Sequence, residues 1–280
     1  MKSLRTSVPD RGKPLFSEES FHYVSSQHTN QPLSTYKGRW FCRYGYGLSF
    51  ESASYGDKGQ DFAAVHIQGD VCTFVLCDGV SMSYHGDFAA RYLGEALCAW
   101  MNETKDWSSS LLYQFLMSLT IPASRELSNY AGSQNANIPM MLQEVLETKK
   151  KLGSQSMYIC GKIKLGSGKK GSRLQLAWQG DSRIRLFRSG KEMDLSFDKT
   201  RRTSERWSTV EGPIGGSPHV YEETFPLGED FVLRLYTDGM GELDPIGIHL
   251  PDEEIQVLMD APHTGGLEDD AAFIELNWKS

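Results

Sequence analysis

The feature that most restricts how this chain can fold is a pair of almost wholly apolar runs, each leading into Asp-Gly. Val71 to Cys77 ends in Asp78-Gly79, and Phe231 to Tyr236 passes through Thr237 into Asp238-Gly239. Runs this short and this apolar predict strands buried on both faces, because a buried helix needs about ten residues or more. Each strand therefore carries a carboxylate to the rim of a core, where an uncompensated charge is costly. Asp-Gly is also a common turn signal, so either dipeptide taken alone reads more readily as a structural turn than as a site.

Other acids occupy equivalent places. Asp61 stands just before the apolar run Phe62 to Ile67. Asp181 lies in the turn Gly180-Asp181-Ser182-Arg183 between two strand patterns, and Asp269-Asp270 precedes the run Ala271 to Trp278. Arg183 can pair with one of these acids, but no basic residue flanks Asp78 or Asp238. Oxygen donors without His or Cys suit Mg²⁺ or Mn²⁺. Two such ions sharing an aspartate would acidify a bridging water, giving a hydroxide suited to in-line attack on phosphorus. The chemistry expected is metal-assisted phosphoester hydrolysis.

The pattern around these acids predicts the fold class. The runs 62–67 and 71–77 flank Gln68-Gly69-Asp70, which reads as a hairpin. Phe88, Ala89, Tyr92, Leu93, Ala96, Leu97, Trp100 and Met101 form one broad helical face. A second helix is expected over Leu111 to Leu119, with serines 108–110 as caps and Pro122 interrupting it. A third runs from near Pro139 to Gly153, after a loop at Gly132 to Asn137. Strand patterns follow at Met157 to Leu165, Arg173 to Trp178 and Ile184 to Arg188, with a short helix near Glu253 to Asp260. Strands, then helices, then strands predict an α+β layered sandwich rather than a βαβ repeat.

Composition sets outer limits. With 280 residues, 39% hydrophobic and 23% charged, the chain can bury one large core or two ordinary ones. A formal net charge of −7 disfavours nucleic acid and anionic membrane as partners. No apolar stretch approaches the ~18 residues of a membrane span, and the basic first thirty residues lack the apolar block of a secretory signal. Five cysteines, at 42, 72, 77, 98 and 160, contain no Cys-x-x-Cys pair and read as reduced thiols of a cytoplasmic protein. Residues 1 to about 37 are rich in Ser, Thr, Gln and Pro, and show no sustained period. Near Trp40 the texture turns to the aromatics and glycines of a strand. The division expected is an N-terminal extension over 1–50 and a catalytic domain over 51–280.

Several motifs are excluded. Gly166-Ser167-Gly168-Lys169-Lys170-Gly171 has dinucleotide-binding spacing, but a strand pattern follows it where a helix is required, so it reads as a hairpin loop. There is no His-Glu-x-x-His and no Gly-x-Ser-x-Gly.

Taken in order, Gln60-Asp61, Phe74 to Val80, Gly180 to Arg183, Leu233 to Met240 and Asp269-Asp270-Ala271 resemble the type 2C metal-dependent protein phosphatases, over about residues 51 to 280. The resemblance implies a four-layer αββα sandwich, two mostly antiparallel central sheets flanked by helices. It also implies hydrolysis of phosphoserine and phosphothreonine on proteins with two Mn²⁺ or Mg²⁺ ions, possible addition of a third, and opposition to a cognate Ser/Thr kinase. Asp78 would bridge the two ions, the Gly79 carbonyl would bind one, and Asp238 and Asp269 would hold the other. Asp181 matches a third-metal ligand of bacterial members, or serves only its turn. Asp61 would orient water.

The sequence departs from that family at three places. Gln60 stands where the family often has Glu. The usual phosphate-gripping arginine falls on Gly56, with Lys58 the nearest replacement. Val80 follows Asp78-Gly79, so the general-acid histidine of eukaryotic members is missing; His85 is a substitute acid or a capping residue. In the flap region expected beside the site, Lys199, Arg201, Arg202 and Arg206 are either a solvated loop or the source of the missing phosphate contact, Arg201 and Arg202 foremost. The opposing reading is a phosphatase-like regulatory module without turnover, and a small phosphorylated molecule is a third possibility for the substrate.

Overall fold

The computed structural model describes residues 20–131, 140–166, 170–195, 197–260 and 267–280. Its first strands are β1 (Ser20–Val24), β2 (Gln31–Lys37), β3 (Phe41–Gly47), β4 (Phe62–Gln68), β5 (Val71–Gly79), β6 (Gln155–Lys164) and β7 (Arg173–Gln179). They are followed by β8 (Arg183–Arg188), β9 (Lys191–Glu192), β10 (Arg206–Ser208), β11 (Gly212–Ile214), β12 (His219–Thr224), β13 (Asp230–Tyr236) and β14 (Ala271–Lys279). The helices are α1 (Phe50–Tyr55), α2 (Gly86–Glu103), α3 (Ser109–Ser118), α4 (Thr120–Ala131), α5 (Met140–Leu152) and α6 (Asp252–Asp260).

Two sheets stack face to face. The eight-stranded sheet runs β1-β4-β5-β6-β10-β11, with β7 pairing β6 and β12 pairing β7; the six-stranded sheet runs β2-β3-β14-β13-β8-β9. Every pairing is antiparallel. Trp40, Phe74, Leu176, Leu233 and Ile274 fill the space between the sheets. On the outer face of the larger sheet, Leu93, Leu97 and Met101 of α2 and Leu112 and Leu116 of α3 cover Val75 and Cys160. On the outer face of the smaller one, Ile255 and Met259 of α6 cover Phe273. The order is helix, sheet, sheet, helix, and the class is the α+β sandwich expected from the sequence. Gly45 permits the close approach of α6, since a Cβ there would stand 2.6 Å from the Met259 sulfur.

The hairpin at Gly69 forms β4 and β5, with Gly69 at φ 55°. Ser108 caps α3 by accepting the Leu111 N–H. Gly153, at φ 73°, ends α5. The break after α3 falls at Leu119 rather than at Pro122, which sits in the first turn of α4. Proline is tolerated there because the first-turn N–H groups have no helical acceptor. The strands β1 and β2 were not legible as strands. They are sheet edges, and their alternation, Phe21 and Tyr23 in β1, is too short to stand out from the polar segment around it. The Gly132 to Asn137 loop lies outside the described residues, as do 167–169 of the glycine-rich hairpin, whose flanking strands pair Lys164 with Arg173. Among the described residues the five cysteines are free and buried, and no helix is long and apolar enough to cross a membrane.

Candidate active site

Strand register brings the acids together. In the larger sheet Phe62 lies opposite Cys77, so Asp61 and Asp78 leave at the same edge. Asp78 lies opposite Met157, and the turn after β7 folds over that methionine: a Cβ on Gly180 would stand 2.4 Å from Met157 Cβ. This turn carries Asp181. In the smaller sheet Tyr236 lies opposite Phe273. There the Thr237 N–H donates to Ala272 O at 3.1 Å, and the Ala272 N–H donates to Thr237 Oγ1 at 2.9 Å. Asp238 and Asp269 therefore emerge side by side.

Asp78, Asp181 and Asp238 each offer a carboxylate oxygen, all within 4.8 Å of one another. Asp78 and Asp181 are half-buried and Asp238 is exposed. Burial raises the Asp78 pKa well above the ordinary range, and Asp238, Asp181 and Asp269 push it further, against a weaker pull from Arg183. Asp61, 3% exposed, is raised by burial and then by Asp78 and Asp270. Burial with Asp238 beside it raises Asp181, and Asp269 is raised to about 6, chiefly by burial. Repulsion on this scale persists in a fold only if something positive offsets it. Arg183 donates to the Asp181 carbonyl at 3.1 Å and pairs with Asp244 at 3.4 Å, so its charge is shared.

The two members of Asp269-Asp270 have different tasks. Asp270 is 2% exposed, and its carboxylate accepts the N–H groups of Ser49 and Gln60, both at 2.7 Å. It ties the start of β4 and the entry to α1 to the smaller sheet. Asp269 accepts the Asp270 N–H at 2.8 Å and faces the acid cluster electrostatically.

A divalent cation fits this donor set. Gln60 Oε1, Asp61 Oδ2, Asp181 Oδ1 and Ser182 Oγ are buried and have no hydrogen-bond partner. Buried polar atoms are ordinarily satisfied, and oxygen-only donors with surplus negative charge match Mg²⁺ or Mn²⁺. Ser182 was not singled out in the sequence; its position in the Gly-Asp-Ser-Arg turn was the available signal.

The remaining candidates divide into two groups. Arg202 is attached to the acid cluster through the main chain, its N–H donating to Gly180 O at 3.0 Å. Arg201 lies 3.5 Å from Asp198 and 3.9 Å from Asp244, close enough to lower the Asp181 pKa. Arg206 is drawn away by Gln155, at 2.7 Å. Lys58 donates instead to Tyr130 OH at 2.9 Å, and Tyr130 in turn bonds Asp87. It lines a cavity of about 490 Å³ with Gln60, His85 and Lys149. His85 is the N-cap of α2 at φ 55°, without a side-chain cap bond, and its ring lies edge-on to Tyr84 and Tyr130. Gly56, exposed at φ 68°, ends α1.

No family model matches the sequence, and no curated protein matches it. Solved structures do. A bacterial serine phosphatase superposes with a TM-score of 0.50 at 16% identity, covering 94% of this chain and 99% of its own. A serine/threonine phosphatase from S. agalactiae reaches 0.49 at 17% identity, over 93% and 100%. A serine-threonine phosphatase 2C from Toxoplasma gondii reaches 0.49 at 13%, over 94% and 100%. At these identities the likeness is one of fold.

Proposed function

We propose that this chain, whose fold is that of the type 2C serine/threonine phosphatases, is a Mn²⁺- or Mg²⁺-dependent phosphatase acting on phosphoserine and phosphothreonine of proteins. The observation that carries this reading is the convergence of Asp78, Asp181 and Asp238 within 4.8 Å, from three separate strand ends. Packing supplies no reason for three acids to meet there.

The ions would be held by Asp78, the Gly79 carbonyl, Asp238, Asp269 and Asp181, with Gln60 beside them. When bound, they supply positive charge for phosphoryl oxygens and acidify water. The chain's own residues do the rest. Asp61, with one oxygen unpartnered, orients water by accepting its proton in a hydrogen bond. Arg201 and Arg202 lie beside the Asp181 turn and offer planar guanidinium groups to the substrate phosphate, the role for which Gly56 has no side chain. The reduced cysteines support a cytoplasmic setting, where a Ser/Thr kinase would supply the substrates.

The test combines p-nitrophenyl phosphate and a phosphothreonine peptide with Mn²⁺, Mg²⁺ or EDTA, alongside Asp78→Asn and Asp238→Asn. Turnover that ignores chelation, or survives both substitutions, removes the proposal. Metal binding without turnover would favour a regulatory module instead, a reading supported by Gly56 and by the capture of Lys58 by Tyr130.

A further inference from the structure

On the helix-facing side of the larger sheet, the apolar surface under α2 becomes polar beyond the helix's C-terminal end. Alternate residues share a face. Ala64 is thus followed by His66 and Gln68, Val75 is preceded by Thr73 and Val71, Cys160 is followed by Lys162 and Lys164, and Ala177 is preceded by Gln175 and Arg173. Register sets Thr73, Lys162 and Gln175 in one row across three strands. With Asn102, Lys105 and Asp106 as a wall, Lys162, Lys164, Arg173 and Gln175 line a cavity of about 560 Å³.

Its charge is unbalanced. Lys162 is only 9% exposed, and its ammonium donates to the Thr104 carbonyl at 2.7 Å. Among the described residues no carboxylate lies within ion-pair distance of Lys162, Lys164 or Lys105. Asp106 in the cavity lining and Glu222 beside Gln175 are both engaged by Arg173. Burial lowers the Lys162 pKa, and Lys164 adds to that, against Asp106. A solvated sheet end accounts for exposed lysines but not for a largely buried Lys162 whose ammonium touches only a carbonyl and no carboxylate. In a chain of net charge −7, cations gathered this way call for an anion. The cavity is larger than one phosphate needs and falls within the range of small-molecule sites. Gln68 and Asn102 add neutral amide groups.

We propose that this cavity binds a small diphosphate anion, whether inorganic pyrophosphate or the diphosphate of a nucleotide. The site is separate from the acid cluster: Val71 and Asp78 lie toward opposite ends of β5, about 23 Å apart at strand rise. It does not depend on the proposed hydrolysis.

The full chain in EDTA would be titrated with pyrophosphate and, separately, with a nucleoside diphosphate, by isothermal calorimetry. Saturable one-site binding is expected, weakened about tenfold or more by Lys162→Met and by Lys164→Ala, and unchanged by Asp78→Asn and Arg201→Ala. Tighter binding of the nucleotide would identify the organic source, and equal binding the inorganic one. If Lys162→Met does not fold, the Lys105→Ala/Lys164→Ala double variant, both at exposed positions, should show the same loss. No saturation at millimolar ligand, or affinity untouched by the lysine substitutions, would overturn the site.

Discussion

Gly79 packs its α-carbon against the carbonyl of Gly86: a Cβ built on Gly79 would stand 2.5 Å from Gly86 O and 2.5 Å from Gln60 O. The contact joins the end of β5 to the start of α2 and leaves no room for any other residue after Asp78. Gly79→Ala should cost about 1–3 kcal/mol, the usual penalty for overpacking, and should displace the Asp78 carboxylate. Thermal unfolding with and without Mn²⁺ would check this. An unchanged melting temperature together with a full metal-induced rise would contradict it.

The acid cluster makes stability and function oppose each other. Asp78 is crowded by Asp238, Asp181 and Asp269, so Asp78→Asn removes repulsion from the metal-free protein. In EDTA the variant should melt a few degrees above wild type, a gain of about 1 kcal/mol. Adding Mn²⁺ should raise the wild type strongly and the variant little. A variant less stable than wild type in EDTA would mean that the carboxylate is structural.

The same repulsion sets a pH dependence. The Asp269 pKa is raised from 3.8 to about 6 in the folded chain. Between those values the folded state holds more protons than the unfolded one, so stability falls as pH rises through the window. Asp61 and Asp78 are shifted in the same direction. In EDTA the melting temperature of wild type relative to Asp269→Asn should decline from about pH 4 to about pH 7. A flat or rising difference would refute it. With saturating Mn²⁺ the trend should reverse, because metal competes with protons for the same oxygens.

Arg201 and Arg202 are adjacent to the Asp181 turn without belonging to the acid cluster. Replacing both with alanine should raise KM for a phosphothreonine peptide about tenfold or more, the scale of a lost two-point phosphate contact, with a smaller effect on kcat. Steady-state kinetics with Mn²⁺ would decide; an unchanged KM would assign the phosphate contact elsewhere.

Behind the site, Glu275 is shared by two buried arginines, receiving Arg43 at 2.8 Å and Arg234 at 2.8 Å. The arginines also donate to the carbonyls of Gly247, Ile248 and Leu250, which holds the segment before α6 against the smaller sheet. Glu275→Ala leaves Arg234 buried without a carboxylate and Arg43 with only the exposed Asp252, and should cost about 3–5 kcal/mol. Chemical denaturation would measure this, and a loss below 1 kcal/mol, roughly the worth of an exposed pair, would show the network to be solvated.

Legibility followed the strength of local patterning. The β4–β5 hairpin, α2 and the capped start of α3 were visible because alternation, helical period and a capping serine are properties of adjacent residues. The edge strands β1 and β2 went unseen because an alternation of two or three residues does not stand out within a polar segment. The pairing of Lys58 with Tyr130 depends on α4 bringing Tyr130, 72 residues further along the chain, into the lining of the same cavity. Only the family resemblance separated Asp269 from Asp270, since nothing in a pair of identical side chains tells which one faces inward.

What the sequence determined by itself was that buried strands end in acids, and that no local cation neutralises Asp78 or Asp238. Those are facts of composition and period. The tertiary structure decided which acids meet. Antiparallel register carries a strand end to one edge or the other, and only the stacking of two sheets sets the Asp238 end of one against the Asp78 end of the other. A carboxylate's neighbours at a few ångströms, and therefore its charge state and its affinity for a cation, are set by that packing and not by the residues beside it in the chain.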